Sequence, residues 1–122
     1  MTKLICVMNE LTGLEVSNNA ALRTLWCGEN QLEELDVSKN AALFSLSCYA
    51  NSLTRLDVSA NLALAELYCS YNQLRQLDVS ANTALIELDC KGNRLSELDV
   101  TNCTKLEMLE ADASVAVAGY GR

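Results

Sequence analysis

The chain contains no histidine, few aromatic residues and no long hydrophobic run. Without histidine, it lacks the commonest general base and the commonest metal ligand of proteins. Half of its 122 residues are hydrophobic, but they are spread along the chain in short runs. No run approaches the roughly 18 residues that a membrane-spanning helix needs. We therefore expect a soluble protein without a histidine-based catalytic or metal site.

Positive charge is also scarce. Nine basic residues stand against 16 acidic ones, which gives a net charge of −7 at pH 7. An acidic protein repels a phosphate backbone instead of attracting it. The composition therefore argues against nucleic acid as a partner.

What the chain does contain is a repeat. Asparagine recurs every 21 residues, and most hydrophobic positions keep the same spacing, the asparagines being Asn9, Asn30, Asn51, Asn72 and Asn93. Cutting at this period yields five whole units and a partial sixth. A fixed period in this range is typical of a solenoid, in which each unit buries its apolar edge against its neighbours. We predict one elongated domain over residues 1–112, followed by a C-terminal tail or irregular cap over 113–122.

Each unit has two similar halves, LxxLxCxxNx and LxxLDVSxNxA, of ten and eleven residues. In the second unit, alternation around Leu25 and Cys27 points these side chains inward and Trp26 outward, which is the pattern of a strand. The second half alternates in the same way around Leu35 and Val37, and neither half is long enough for a full helix. The pattern predicts parallel ladders on both sides of each coil, with little or no helix. Because neither side needs the wider spacing of helices, the solenoid should be weakly curved or nearly straight.

The repeat resembles the leucine-rich repeat family, whose LxxLxLxxN consensus is matched here by LxxLxCxxN. The matching segments are Leu4 to Asn9, Leu25 to Asn30, Leu46 to Asn51, Leu67 to Asn72 and Leu88 to Asn93. The nested halves and the LDVSxN motif are most similar to the short bacterial class of 21-residue repeats. The resemblance implies a leucine-rich repeat solenoid with ligands docking on the strand face, and a parent protein that is secreted or on a bacterial cell surface. The opening MTKLICVMNE has no features of a secretory signal, which leaves a cytoplasmic chain or a segment of something longer.

Three columns of repeated residues, two of asparagine and one of cysteine, are expected to be architectural. The asparagines of both halves should hydrogen-bond backbone groups at the corners of the coil. The cysteines should form a ladder inside it, as small buried hydrophobes where the family has leucine; they are Cys6, Cys27, Cys48, Cys69 and Cys90. Disulfides between neighbouring rungs and a metal site stay open as alternatives. Cys103 takes the slot of a second-half asparagine, and we expect it to be an exposed thiol.

An acidic column is expected on the outside of the second half: Glu15, Asp36, Asp57, Asp78 and Asp99. Stacked carboxylates repel, so the repeat must compensate them. Hydrogen bonds from backbone N–H groups or from the serines two residues later are the first explanation. Calcium bound by Asp36, Asp57, Asp78 and Asp99 is a weaker alternative. An acid–base pair for catalysis is weaker still, because the column repeats a single environment.

Variation between the units is concentrated on the outside of the first half, and every aromatic residue except Tyr120 falls on or beside this face. Since Trp and Tyr anchor interfaces, we predict a ligand-binding face formed by Trp26, Phe44, Tyr49, Tyr68, Tyr71, Glu66, Glu87, Asp89 and Lys91. The sequence therefore favours a non-catalytic binding module, without a cofactor, for a protein or carbohydrate ligand. The alternative is a structural spacer or scaffold repeat, natural or engineered, without a ligand of its own. Uncapped ends would allow self-association.

Overall fold

The structure, a computed structural model, describes residues 1–120 as a solenoid of about six coils. Eight three-residue strands occur in this part of the chain, and no helix does. The strands are β1 (Lys3–Ile5), β2 (Thr24–Trp26), β3 (Ser45–Ser47), β4 (Glu66–Tyr68), β5 (Glu87–Asp89), β6 (Glu97–Asp99), β7 (Met108–Glu110) and β8 (Ala116–Ala118). None of the described residues forms a helix long and apolar enough to cross a membrane.

The first half of every coil contributes one strand to a six-stranded parallel sheet, in the order β1-β2-β3-β4-β5-β7. Each residue pairs with the one 21 positions later, as Leu4 does with Leu25. Backbone bonds between coils continue past the strand ends, where the Cys6 N–H donates to the Trp26 carbonyl at 2.9 Å. The sequence period is therefore the register of the sheet, and the predicted parallel ladder is confirmed.

The second half of each coil differs from the prediction. A second ladder exists only at the C-terminal end, where β6 pairs in parallel with β8 and Leu98 lies opposite Val117. In the earlier coils this side has no assigned strand, and coils are joined at the corner by bonds such as Ser52 N–H to the Leu32 carbonyl, 2.8 Å. The expectation of two full ladders was wrong because alternation specifies which way side chains point, not whether adjacent backbones hydrogen-bond.

One continuous core runs through the coils. Its leucine, cysteine and valine columns are almost completely inaccessible to solvent in the middle of the chain. The same columns are only partly buried at the two ends, at Leu4, Cys6, Leu11 and Leu14 in the first coil and at Leu106, Leu109, Ala111 and Val115 in the last. The C-terminal tail, predicted as a tail or irregular cap, contains β8. The last two residues of that prediction, 121–122, lie outside the described part.

Candidate functional site

The asparagines of the first half hold neighbouring coils together. Asn51 accepts a hydrogen bond from the Leu32 N–H at 3.0 Å, and its Nδ2 donates to the carbonyls of Cys27 and Cys48, both at 3.1 Å. These bonds consume the amide on backbone groups of its own coil and of the preceding one. The architectural interpretation of this column is confirmed. Contacts with a ligand must therefore come from residues other than these asparagines.

The asparagines of the second half make fewer bonds. Asn61 donates from Nδ2 to the carbonyls of Val37 and Asn40, at 3.0 and 2.9 Å, while its Oδ1 is buried without a protein partner. Cys103 follows Asn61 and Asn82 in this column. It is 5% exposed, against the expectation of an exposed thiol. Its side chain points into the core, where the Sγ atom lies 3.6 Å from the Val79 carbonyl oxygen of the preceding coil.

The six cysteines are free thiols. Burial raises the pKa of Cys27 to about 12 and that of Cys90 to about 11, and it also raises the pKa of Cys48. A protonated, inaccessible thiol is a poor nucleophile and a poor metal ligand. The ladder is therefore part of the core, with Cys6 in the first coil as its most accessible member.

The carboxylates of the acidic column accept hydrogen bonds from the serines two residues later, which was the first of the three explanations. The Asp57 carboxylate accepts bonds from the Ser59 N–H at 2.9 Å and from the Ser59 hydroxyl at 2.6 Å. The hydroxyl bond, followed by the backbone bond, lowers the pKa of Asp57. Asp36 and Asp78 accept the equivalent backbone bonds from Ser38 and Ser80. Within residues 1–120 no three acidic or thiol side chains gather closely enough to hold a metal ion.

Trp26 lies on the predicted binding face with 38% of its surface exposed. Its indole Nε1 donates to the Ser45 hydroxyl of the next coil at 3.0 Å. Ser45 and the neighbouring Ser47 are buried, although both lie on the outward side of β3. Sequence reasoning missed both buried serines. The one available signal was that Ser47, a small residue, lies between Trp26 and Tyr68 in the same column.

Two tyrosines of the predicted binding face donate hydrogen bonds to acidic residues. The Tyr49 hydroxyl donates to Glu29 at 2.9 Å, and its ring occupies the space where a Cβ would stand at Gly28. The Tyr68 hydroxyl donates to Glu87 in the next coil. Burial and this hydrogen bond raise the pKa of Tyr68. Both rings are therefore held in fixed positions on the face.

Tyr71 and Phe44 flank the face and are more open. Tyr71 is 60% exposed, has a φ of 57°, and packs its ring over Gly92. Phe44 is 37% exposed, and the Arg23 guanidinium lies over its ring, 5.5 Å from the centroid. Together with Trp26, these residues give the face three accessible aromatic side chains.

The charged residues of the predicted site lie at the C-terminal end of the same face. Glu66, Glu87 and Asp89 are on β4 and β5, and each is partly exposed. Lys91 forms an ion pair with Glu110, with 3.9 Å between Nζ and Oε2. This part of the face therefore carries an excess of negative charge.

A groove of about 1930 Å³ runs along the opposite, second side of the coils. It is lined by the repeated acidic column, including Asp36, Asp57 and Asp78, and by the serines that follow. The residues of the alternative calcium site therefore line it, whereas none of the residues of the predicted ligand-binding face does. Its walls repeat from coil to coil, so it offers no distinctive constellation comparable with the first face.

Comparisons with known proteins identify the architecture. Models of protein families and curated protein sequences yielded no match. Among solved structures, InlJ of Listeria monocytogenes, whose functional domain includes a cysteine ladder, is 33% identical, with a TM-score of 0.80 over 93% of this chain and 30% of that one. A leucine-rich repeat protein of Leptospira interrogans is 26% identical, with a TM-score of 0.88 over 97% of this chain and 33% of that one.

A plant peptide hormone receptor, RGFR1, solved in complex with RGF2, shares the fold at 23% identity, with a TM-score of 0.79 over 95% of this chain and 21% of that receptor. The chain thus spans a third or less of the length of these structures. These structures are leucine-rich repeat proteins, and this chain has the same parallel-strand solenoid, with a 21-residue period of its own. The cysteine ladder inside the coils is a further feature that it shares with InlJ. The chain is therefore a leucine-rich repeat solenoid, similar to these proteins in fold.

Proposed function

We propose that this chain is a non-catalytic binding module that recognises a polypeptide through its aromatic face. The aromatic face is defined by Trp26, Phe44, Tyr49, Tyr68 and Tyr71, with the charged residues Glu66, Glu87, Asp89 and Lys91. The observation that carries the proposal is the exposure of Trp26, Phe44 and Tyr71 on one side of a solenoid whose other hydrophobic columns are buried. Large aromatic side chains in such positions supply most of the energy of protein interfaces.

The face is also pre-organised. Hydrogen bonds to Ser45, Glu29 and Glu87 fix the rings of Trp26, Tyr49 and Tyr68 before any ligand arrives. A side chain that is already ordered loses less rotamer entropy on binding, a saving of roughly 0.5–1.5 kcal/mol for each side chain. The ring positions therefore favour recognition of a defined surface over loose hydrophobic contact.

The charge distribution of the aromatic face limits which polypeptides complement it. The N-terminal rungs of the face are apolar through Ile5 and Trp26, whereas Glu66, Glu87 and Asp89 make the C-terminal rungs acidic. A polypeptide with an apolar segment beside a basic one complements both parts. A polypeptide ligand is favoured over a carbohydrate because a receptor of the same fold binds a peptide hormone. The two more similar structures come from bacteria, and a secreted or surface-exposed bacterial parent protein is part of the same proposal.

A spacer without a ligand is the competing function. It is supported by the uniform core and by the tyrosine hydroxyls, which already have partners within the chain. In that case the aromatic side chains would contribute to the stability of the coils alone. The two functions predict different effects of removing the rings: a binding module loses its ligand, whereas a spacer changes only in stability.

Selection from a displayed library of random peptides, in parallel with a glycan array, tests the proposal. We expect captured peptides with aromatic or aliphatic residues next to lysine or arginine, and a loss of binding of at least tenfold in the Trp26→Ala, Tyr49→Ala and Tyr68→Ala variants. Tyr120→Ala is the matched control, because Tyr120 is an exposed aromatic residue that is not among those that define the aromatic face. Failure to select any peptide, or equal binding by the face variants and the control, would contradict the proposal and favour the spacer.

A further inference from the structure

We infer that the aromatic face binds a proline-rich polypeptide in the polyproline II conformation, with a basic residue close to its prolines. This inference rests on the proposed function and names the chemical class of the ligand. It depends on residues of the second to fifth coils, whose strands lie in the interior of the six-stranded sheet. The free hydroxyls of the face, the spacing of its rings and the charge of its C-terminal rungs each favour this ligand.

Two serine hydroxyls of the face are nearly buried and have no hydrogen-bond partner. Ser47 is 8% exposed and Ser70 is 7% exposed, although neither belongs to the inward hydrophobic columns. None of the described residues 1–120 forms a hydrogen bond with either hydroxyl. A polar group that is nearly buried without a partner is costly, and a ligand group that bonds to it removes this cost. Serine at these two positions therefore favours a bound ligand, because alanine would pack equally well without one.

The free hydroxyls can serve as donors to a ligand. The Trp26 indole and the hydroxyls of Tyr49 and Tyr68 already donate to acceptors of the chain itself. The hydroxyl donors left between these rings are those of Ser47 and Ser70. A polyproline II segment makes no internal hydrogen bonds, and proline has no N–H, so such a segment presents carbonyl acceptors and few donors. Its carbonyls therefore complement the two serine hydroxyls.

The spacing of the rings matches the repeat of a polyproline II helix. Ser47 lies between Trp26 and Tyr68 in one column, with one strand spacing on each side. The Cα atoms of the two aromatic residues are therefore about 9.6 Å apart, because neighbouring strands are about 4.8 Å apart. A polyproline II helix has three residues per turn and repeats every ~9.3 Å. A ligand lying along the solenoid would place prolines three residues apart on the two rings, with a carbonyl between them above Ser47.

Other conformations of a polypeptide ligand fit this part of the face less well. The strands β2, β3, β4 and β5 have a neighbour on both sides, so an extended peptide finds no free sheet edge there. An α-helix uses its carbonyls for its own N–H groups. A bound helix would therefore leave the hydroxyls of Ser47 and Ser70 unpaired, whereas a polyproline II segment would not.

The acidic rungs account for the basic residue of the ligand. Asp89 lies one strand spacing beyond Tyr68, and Glu66 and Glu87 pair with each other in the neighbouring column. An arginine one or two residues beyond the second proline would extend over these carboxylates, since each residue of the helix advances it by ~3.1 Å. Charge-assisted hydrogen bonds from its guanidinium to the carboxylates would add to the affinity.

Titration of the full chain with two synthetic peptides tests the inference. The first peptide has about nine prolines flanked on both sides by arginines, which allows either chain direction and spans the rings and the acidic rungs. The second has alanine and leucine in place of the prolines and therefore favours a helix. Trp26 is the single tryptophan of the chain, so its fluorescence reports binding at the face directly. We expect the proline peptide to bind at least about tenfold more tightly, because its conformation is already ordered.

Serine variants separate a role in binding from a role in packing. Ser47→Ala and Ser70→Ala should each weaken binding of the proline peptide about fivefold, the effect of one lost hydrogen bond. Both should leave the urea midpoint unchanged or higher, because the hydroxyls have no partner within the described chain. Ser96→Ala is the matched control, since Ser96 is an exposed serine in the second half of its coil, and it should bind like the unmodified chain.

The outcomes distinguish this inference from the proposed function. Equal or tighter binding of the alanine–leucine peptide would overturn the inference and leave the proposed function standing. Unchanged affinity in both Ser47→Ala and Ser70→Ala would overturn the inference as well. If neither peptide binds, the inference fails, and selection from random peptides, which does not presuppose proline, tests the proposed function separately.

Discussion

The Sγ atom of Cys103 lies 3.6 Å from the carbonyl oxygen of Val79, where the preceding coils place an asparagine amide. In the coil before it, the Asn82 Nδ2 reaches the Val58 carbonyl at 3.0 Å and the Asn61 carbonyl at 3.0 Å. A thiol is a weak donor and makes one long contact in place of two hydrogen bonds. The junction between the fourth and fifth coils is therefore weaker on this side than the junctions before it.

Restoring the amide should strengthen that junction. We expect Cys103→Asn to raise the free energy of unfolding by about 1 kcal/mol, because it adds bonds to the Val79 and Asn82 carbonyls at the typical net value of a buried hydrogen bond. Urea unfolding followed by circular dichroism measures the change. Cys103→Ala, which removes the thiol without adding an amide, should be destabilising instead. A lower stability for Cys103→Asn than for Cys103→Ala would count against this geometry.

The two asparagine columns should differ in their contribution to stability. Asn51→Ala removes an acceptor for the Leu32 N–H and the donors to Cys27 and Cys48, leaving buried backbone groups without partners. Asn61→Ala removes only two donor bonds and also an acceptor that is already unsatisfied. We expect Asn51→Ala to cost about 1 kcal/mol more than Asn61→Ala, because it removes one more of these bonds at about 1 kcal/mol each. Chemical unfolding of both variants measures the two losses of stability. Equal losses would contradict a difference between the two columns.

The thiols should react in a defined order with a thiol reagent such as Ellman's reagent. Cys6 is the only one of the six that is not buried, so one thiol should react in the folded protein and the remaining five only after denaturation. Cys6→Ser should remove the early reaction and leave the late one unchanged. Early reaction of a second thiol that persists in Cys6→Ser would indicate that the last coil opens at Cys103.

Alkaline pH should destabilise the protein through the same ladder. The pKa of Cys27 is raised from 9.0 to about 12, so the folded chain holds this thiol neutral while the unfolded chain ionises it. A raised pKa contributes stability that is complete below pH 9 and is lost as pH rises toward the folded value. The urea midpoint should therefore fall between pH 9 and 11, and less steeply in Cys27→Ala. An equal slope in the variant would exclude Cys27 as a cause.

A column of left-handed backbone should accept glycine. Met8, Glu29, Ala50 and Tyr71 have positive φ values, and Gly92 takes the same place in the fifth coil. Because Ala50 has a φ of 54°, Ala50→Gly should raise stability by about 0.5–1 kcal/mol through relief of this strain. Ala60→Gly is the control at a turn position without positive φ and should be neutral or destabilising. Thermal unfolding of both variants distinguishes strain relief from a general effect of glycine.

Much of the architecture was predictable because it depends on which side chains point inward. The 21-residue period predicted the register of the sheet, and the alternation around Leu25 and Cys27 predicted the buried columns. The aspartate–serine bonds were also predictable, since both residues lie in the same short segment. All of these features are local or repeat identically in every coil.

Other features depended on contacts between coils that sequence patterns do not describe. The second ladder is limited to β6 and β8, and Cys103 is buried in the core. Ser45 and Ser47 face outward as predicted but are buried, with the indole of Trp26 bonded to Ser45. Whether an outward side chain is exposed depends on the size and rotamer of its neighbour 19 to 21 residues away.

By itself, the sequence determined that this protein is a repeat solenoid with an internal cysteine ladder, because a hydrophobic pattern held over five units can be buried in only one way. The tertiary structure alone decided how the variable residues are used. It directs the rings of Trp26, Tyr49 and Tyr68 onto partners in adjacent coils and leaves Tyr71 accessible. It also leaves the same core columns partly open at both ends. The physical reason is that inward positions are constrained by a shared core, whereas outward positions and coil ends respond only to their particular neighbours.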